Sequence, residues 1–294
     1  MPVEGTAPSL LCVHAHPDDE ASKGAGTVAK YHAQGVRCVL VCCTGGEEGD
    51  ILNPAMDRPE VRERLAEIRA HELAAAAQVI GYDEVVMLGY RDSGMPGSPA
   101  NEHPASFAQA PLQEATARLV AIVRRTQPLV MVIYPAHQEM YPHPDHIRAH
   151  EIGLAAFRAA GDPEAFPEAG PAWQPLKLYY SLWSKKRIAM LAEKFAELGL
   201  EPPWDGERLA QVEAAPQEEV TVEVDVSSWA HVRDQALRAH ATQVDPASPF
   251  WFGLPDDVAK TLGSTDEYHL AANLTGSRPP EDDLFAGLTE AARA

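Results

Sequence analysis

Cysteine is scarce in this sequence: there are four in 294 residues, Cys12, Cys38, Cys42 and Cys43. All stand in apolar runs of strand type and no Cys-x-x-Cys pair occurs, so they read as buried, reduced residues of a cytoplasmic protein rather than a disulfide framework; a redox role is the alternative. Positive charge is scarce too. Lys plus Arg total 24 against 43 Asp plus Glu, a formal net charge of −19, and such a chain repels phosphate backbones and anionic bilayer surfaces. Nucleic acid and membranes are therefore not expected as partners. Long apolar runs are missing: none is long enough to cross a bilayer, and the first, residues 10–13, is too short and lacks the basic flank of a signal peptide.

What is present is alternation of strand-like and helix-like segments. Residues 9–14 (SLLCVH), 36–43 (VRCVLVCC), 84–88 and 129–134 (LVMVIY) read as strands. Between them, residues 21–34, 60–80 and 112–125 read as helices, and 144–160 follows, opening on Pro144 as a helix can. Gly35 and Gly81 punctuate the first two helices. This pattern predicts an α/β fold, a Rossmann-like, mostly parallel sheet with helices on both faces. Residues 1–175 form its catalytic core. Residues 176–294 form a smaller C-terminal extension completing the same domain: a strand at 177–183, a helix at 185–198, a loop at 201–216, a strand at 219–226 and a helix capped by Ser227 or Ser228 running to about residue 240. The tail from Thr289 is expected to fray.

In parallel sheets ligands bind beyond the carboxyl ends of the strands, and polar clusters follow each of the first four strands: 16–20, 44–50, 91–94 and 141–146. His16-Pro17-Asp18-Asp19-Glu20 stands where a strand meets a helix. His16 and Asp19 can meet across a tight turn, a donor pair suited to zinc or another borderline divalent ion, which leaves Asp18 to act as a base; the competing reading is that an aspartate merely caps the helix. In Tyr141-Pro142-His143-Pro144-Asp145-His146, the two histidines are three apart and can face one pocket, with Asp145 orienting one imidazole. Together the motifs supply two imidazoles and a carboxylate with a position left for water, the pattern of a hydrolytic metal site. His14 is expected in the core, Arg69 and Glu72 as a surface pair, Thr44-Gly45-Gly46-Glu47 as a weak anion cradle, and His240 and Gln243 on the surface.

At AHPDDE (15–20) and HPDH (143–146) the chain resembles the LmbE-like (PIG-L) family of metal-dependent N-deacetylases and amidases. HPDDEASKGA (16–25), TGGEEGDILNPAMD (44–57), RDSGMP (91–96), YPHPDH (141–146) and ALRAHATQVDP (236–246) are most similar to its branch acting on mycothiol S-conjugates. The resemblance implies His16, Asp19 and His146 as ligands of Zn2+, with Fe2+ as the alternative ion. It implies Asp18 as general base, and His143, supported by Asp145, as donor to the leaving amine or the oxyanion. Tyr141 would move over the carbonyl, Arg69 and Asp92 would lie near the sugar and inositol, and Lys23 would recognise the conjugated thiol portion. The implied substrate is a small-molecule thiol conjugate cleaved between cysteinyl carbonyl and glucosaminyl-inositol, in detoxification or in an antibiotic-cluster paralogue; the alternative is an N-acetyl sugar. A homo-oligomer is left open. Residues 134–140 (YPAHQEM) depart from the family's pattern beside this rim.

Overall fold

The computed structural model describes residues 8–288; the tail from Thr289 lies outside them. Among the described residues, seven strands form one mixed sheet in the order β3-β2-β1-β4-β5-β7-β6. β1 (Ser9–His14), β2 (Arg37–Thr44), β3 (Glu84–Tyr90), β4 (Val130–Ile133) and β5 (Lys177–Leu182) run parallel. β7 (Thr265–Asn273) is antiparallel to both β5 and β6 (Val222–Asp225). The expected α/β sheet with helices on both faces is present. The sequence reading assigned no strand at β7, which separates β6 from β5.

The helices are α1 (Asp19–Ser22), α2 (Ala25–Ala33), α3 (Pro59–Arg62), α4 (Leu65–Ile80), α5 (Leu112–Thr126), α6 (Pro144–Ala159), α7 (Lys185–Glu197), α8 (Gly206–Ala214), α9 (Ala230–Ala239), α10 (Pro249–Phe252) and α11 (Asp256–Leu262). Side chains of a strand alternate between faces, and β1 shows it. Leu10 and Cys12 pack with α2, α4 and α9, whereas Leu11 and Val13 pack with α5 and α6. All four cysteines are buried and free, as expected.

Several boundaries differ for physical reasons. The helix expected over 21–34 is two pieces, because Gly24 takes φ 84° and a Cβ there would stand 2.8 Å from the Tyr268 hydroxyl. The segment expected as a loop at 201–216 contains α8, capped by Asp205 accepting from the Arg208 amide; Pro202, Pro203 and Gly206 obscured it. Neither Ser227 nor Ser228 caps α9, whose N-cap is Trp229.

Candidate metal centre and its cleft

The sheet's strand order reverses between β1 and β4, and ligands bind at such switch points. β1 ends at His14 and delivers His16 and Asp19; β4 ends at Ile133, and the loop after it leads to His143 at the N-cap of α6 and His146 in its first turn. One ligand atom from each of His16, Asp19 and His146 lies within 4.8 Å of the others, and all three residues are buried. Asp19 Oδ2 stands 3.4 Å from both His16 Nδ1 and His146 Nε2.

The hydrogen bonds fix the roles of the ring nitrogens. His16 Nε2 lies 3.2 Å from Asp145 Oδ2 and 3.5 Å from Asp92 Oδ1. A carboxylate only accepts, so Nε2 carries the proton and Nδ1 turns toward Asp19, as in an imidazole oriented for a metal. Asp145 thus orients His16. Its carboxylate is also held by the Ser93 amide at 2.9 Å and by the Ser93 hydroxyl. The sequence reading joined Asp145 to His143, but the hydrogen bond between them runs from the Asp145 backbone amide to His143 Nδ1, at 3.2 Å. Since that amide can only donate, the neutral His143 ring holds its proton on Nε2.

The donor set fits a divalent cation. Burial alone would lower the His16 pKa, yet hydrogen bonds to the carboxylates of Asp145, Asp19 and Asp92 raise it well above 6.5; the pocket's negative field retains a proton where a cation would sit. Burial holds His146 neutral, its pKa pulled down to about 3, and a neutral imidazole is what a metal requires. A second trio, His16, Asp92 and His143, is equally compact, but Asp92 meets His16 on its protonated Nε2 side.

Asp18 stands apart from the ligands. It is the N-cap of α1 yet makes no side-chain capping bond, so the capping alternative is not what its carboxylate does. Its Oδ2 is 3.0 Å from Arg69 Nη2. Burial, with Asp19 adding to it, raises its pKa against the pull of Arg69. Its backbone has φ 121°, a left-handed value costly for any side chain-bearing residue.

Other expectations are corrected by burial. Arg69 and Glu72 are not a surface pair: Arg69 donates to Pro17 O and, at 2.7 Å, to Gly46 O, while Glu72 accepts from the Thr242 amide and hydroxyl. The Thr44–Glu47 turn therefore receives a guanidinium rather than an anion, and a Cβ at Gly46 would collide with Arg69 at 2.3 Å. His240 is fully buried and Gln243 nearly so. His14 is a core residue, as expected, with a pKa lowered to about 4 by burial. Lys23 stands beside the trio: the break at Gly24 turns it inward, 2.5 Å from Asp19 Oδ1 and 3.3 Å from Ser22 Oγ. Tyr141 is half exposed at the rim, its hydroxyl on Met95 Sδ.

Tyr134 and Ser93 escaped the sequence reading. The Tyr134 hydroxyl donates to Asp19 Oδ2 at 2.6 Å and accepts the Ala15 amide at 2.8 Å, and its ring stacks on His146. An aromatic ending an apolar strand looks like core; only its place after β4 hinted otherwise.

His16, Asp18, Asp19, Tyr134, His143 and His146 line a cleft of about 630 Å³. Its lining also includes the polar Glu48, Asp50, Arg69 and Gln243. Trp183, Trp204, Phe250 and Trp251 line it as one cluster of touching rings, so three of the chain's five tryptophans converge here. The family model described as GlcNAc-PI de-N-acetylase, PIG-L, matches residues 11–157. The chain belongs to the PIG-L family. It is 40% identical to a mycothiol S-conjugate amidase of Streptomyces coelicolor, over 96% of this chain and 97% of that one. It is also 40% identical to a 1D-myo-inositol 2-acetamido-2-deoxy-alpha-D-glucopyranoside deacetylase of Geodermatophilus obscurus, over 95% and 97%. Its fold is similar to that of N,N'-diacetylchitobiose deacetylase from Pyrococcus horikoshii, with TM-score 0.61 and 18% identity over 92% of this chain and 86% of that one. By name these relatives are an amidase and deacetylases. No helix among the described residues is long and apolar enough to cross a membrane.

Proposed function

We propose that this chain is a metal-dependent amidase that cleaves the bond between the cysteinyl carbonyl and glucosaminyl-inositol in mycothiol S-conjugates, with His16, Asp19 and His146 holding zinc or ferrous iron. The observation that carries this reading is the mixed lining of the cleft at the trio. Glu48, Asp50, Arg69 and Gln243 offer partners to a polyol, and the aromatic cluster offers an apolar surface far larger than an acetyl group needs. Lys23 also lines the cleft, where a cation can meet the polar cysteinyl arm.

The divalent ion, when bound, supplies Lewis acidity at the carbonyl and lowers the pKa of a water. Asp18 takes a proton as water attacks the carbonyl carbon, a task suited to a carboxylate whose pKa is raised. The neutral His143 ring, its pKa lowered by burial and by His16, donates its Nε2–H to the oxygen that gains charge. Asp18 then returns the proton to nitrogen as the C–N bond breaks, releasing an amine and a carboxylic acid. Tyr141 at the rim is free to close over the carbonyl.

The second reading is an N-deacetylase of N-acetylglucosaminyl-inositol, favoured by the equally similar deacetylase relative. The kcat/KM values for an S-aryl conjugate and for the N-acetyl substrate decide between them. We expect the conjugate to be preferred; a preference for acetate release replaces the amidase reading with the deacetylase one.

A further inference from the structure

We infer that Glu20 and His240 form a buried strut that aims the Asp18 carboxylate, making both of them positioning residues for the base. This rests on the reading of Asp18 as the base. The strut bears on a single peptide unit, Pro17–Asp18. Its carbonyl oxygen accepts from Arg69 Nη2, and its amide donates to Glu20 Oε2 at 2.9 Å. The orientation of that plane sets φ of Asp18, which stands at 121°. A side chain-bearing residue leaves such a conformation unless its surroundings over-determine it, because the strain is of order 1–3 kcal/mol. Arg69 and Glu20 grip the plane from its two ends.

Glu20 is itself fixed. Its Oε1 lies 2.5 Å from His240 Nε2, and both residues have no exposure at all. His240 closes α9 and begins a strap, residues 240–243, that is fastened along its length. Asn53 Nδ2 donates to Ala241 O at 2.9 Å, the Leu52 amide donates to Thr242 O at 2.9 Å, and Glu72 accepts from Thr242. A buried carboxylate and imidazole so placed are costly unless paired, and here the pairing spans 220 positions to reach the loop that bears the base. Neither residue is among the lining of the cleft, so neither is placed to touch substrate.

The test uses the metal-loaded full-length enzyme and five variants: Glu20→Ala, Glu20→Gln, His240→Leu, Asp18→Ala and the double variant Asp18→Ala with Glu20→Ala. Glu20→Ala and His240→Leu are expected to lower kcat about 10²-fold, the effect of a misplacement near 1 Å, with KM and bound metal per chain unchanged. Glu20→Gln keeps an oxygen for the Asp18 amide and is expected to recover most of the loss. In an Asp18→Ala background, Glu20→Ala should cost nothing more, since residues acting as a unit are not additive. A crystal structure of the loaded His240→Leu variant, which needs no substrate, should show Asp18 out of its positive φ or its carboxylate displaced. Additive losses, a metal content falling in step with activity, or Asp18 unmoved in that crystal each overturn the strut. If Asp18→Ala alone leaves kcat intact while His240→Leu still displaces its carboxylate, the strut stands and the base assignment falls.

Discussion

Two adjacent aspartates face different partners. Asp19 Oδ2 faces both imidazoles, whereas Asp18 faces Arg69. Asp19→Ala should therefore lose the metal, while Asp18→Ala should keep it and lose about 10²–10⁴-fold in kcat. Elemental analysis beside steady-state kinetics checks both, and metal retained with activity in both variants rules the assignment out. Tyr134 adds a third case. Its hydroxyl joins Asp19 to the Ala15 amide, so Tyr134→Phe leaves a buried donor unpaired and takes one hydrogen bond from the Asp19 carboxylate. We expect metal affinity to fall about 10–100-fold; titration with a competing chelator would show an unchanged affinity if the contact is idle. Lys23→Ala should reduce kcat/KM for the conjugate more than for the N-acetyl substrate, with equal losses counting against its recognition role.

Among the secondary elements, α6 depends on an arginine at its far end from the site. Arg124 on α5 donates to the carbonyls of Ala159, Ala160, Asp162, Ala165, Phe166 and Gly170 and, among the described residues, to no carboxylate. These gather the last turn of α6 and the loop beyond it around one planar fork. Lysine has the charge without the fork. Arg124→Lys should thus be destabilising by about 3 kcal/mol in denaturant unfolding, the loss of several charge-assisted bonds. The ion site lies one helix length away, about 20 Å at 1.5 Å per residue, so metal affinity should hold. Unfolding unchanged within about 0.5 kcal/mol would show the cage to be dispensable. Neither residue 124 nor its partners can be read from the sequence, since the acceptors are backbone atoms of an irregular loop.

For the whole molecule, an ion held by the trio would join loops after two central strands that are 127 positions apart at Asp19 and His146. A ligand bound only by the folded state stabilises it, by about 2.7 kcal/mol at a hundredfold excess over Kd. Zinc or ferrous iron added to chelated protein should therefore raise Tm by several degrees, and the Asp19→Ala variant should show no such rise. Equal melting of the two proteins with and without ion would remove the trio as a binding site. Activity should likewise vanish on chelation and return with one equivalent of ion.

Much of this was written locally. The period of apolar residues set β1 to β5 and the helical character of the segments between them, though not the breaks that split 21–34 and 60–80, and the rule that ligands meet the carboxyl ends of parallel strands placed both histidine motifs on one rim. Metal-ligand chemistry is likewise a property of residue type and short spacing, so the meeting of His16, Asp19 and His146, with Asp18 and His143 lining the same cleft, was legible. The remainder depends on which distant segments meet. β7 was missed because TDEYHLAAN alternates weakly and is only half-buried, and its strandhood comes from pairing on both edges. Arg69, Glu72 and His240 read as solvated polar residues because charge favours water; only the tertiary structure supplies Pro17 O, Thr242 and Glu20 as their partners. Lys23 turned inward through the backbone of Gly24, and Asp145 chose His16 over its neighbour His143. Sequence spacing limits which groups can meet, but the direction of a side chain and the partner of a buried charge are decided by packing between elements.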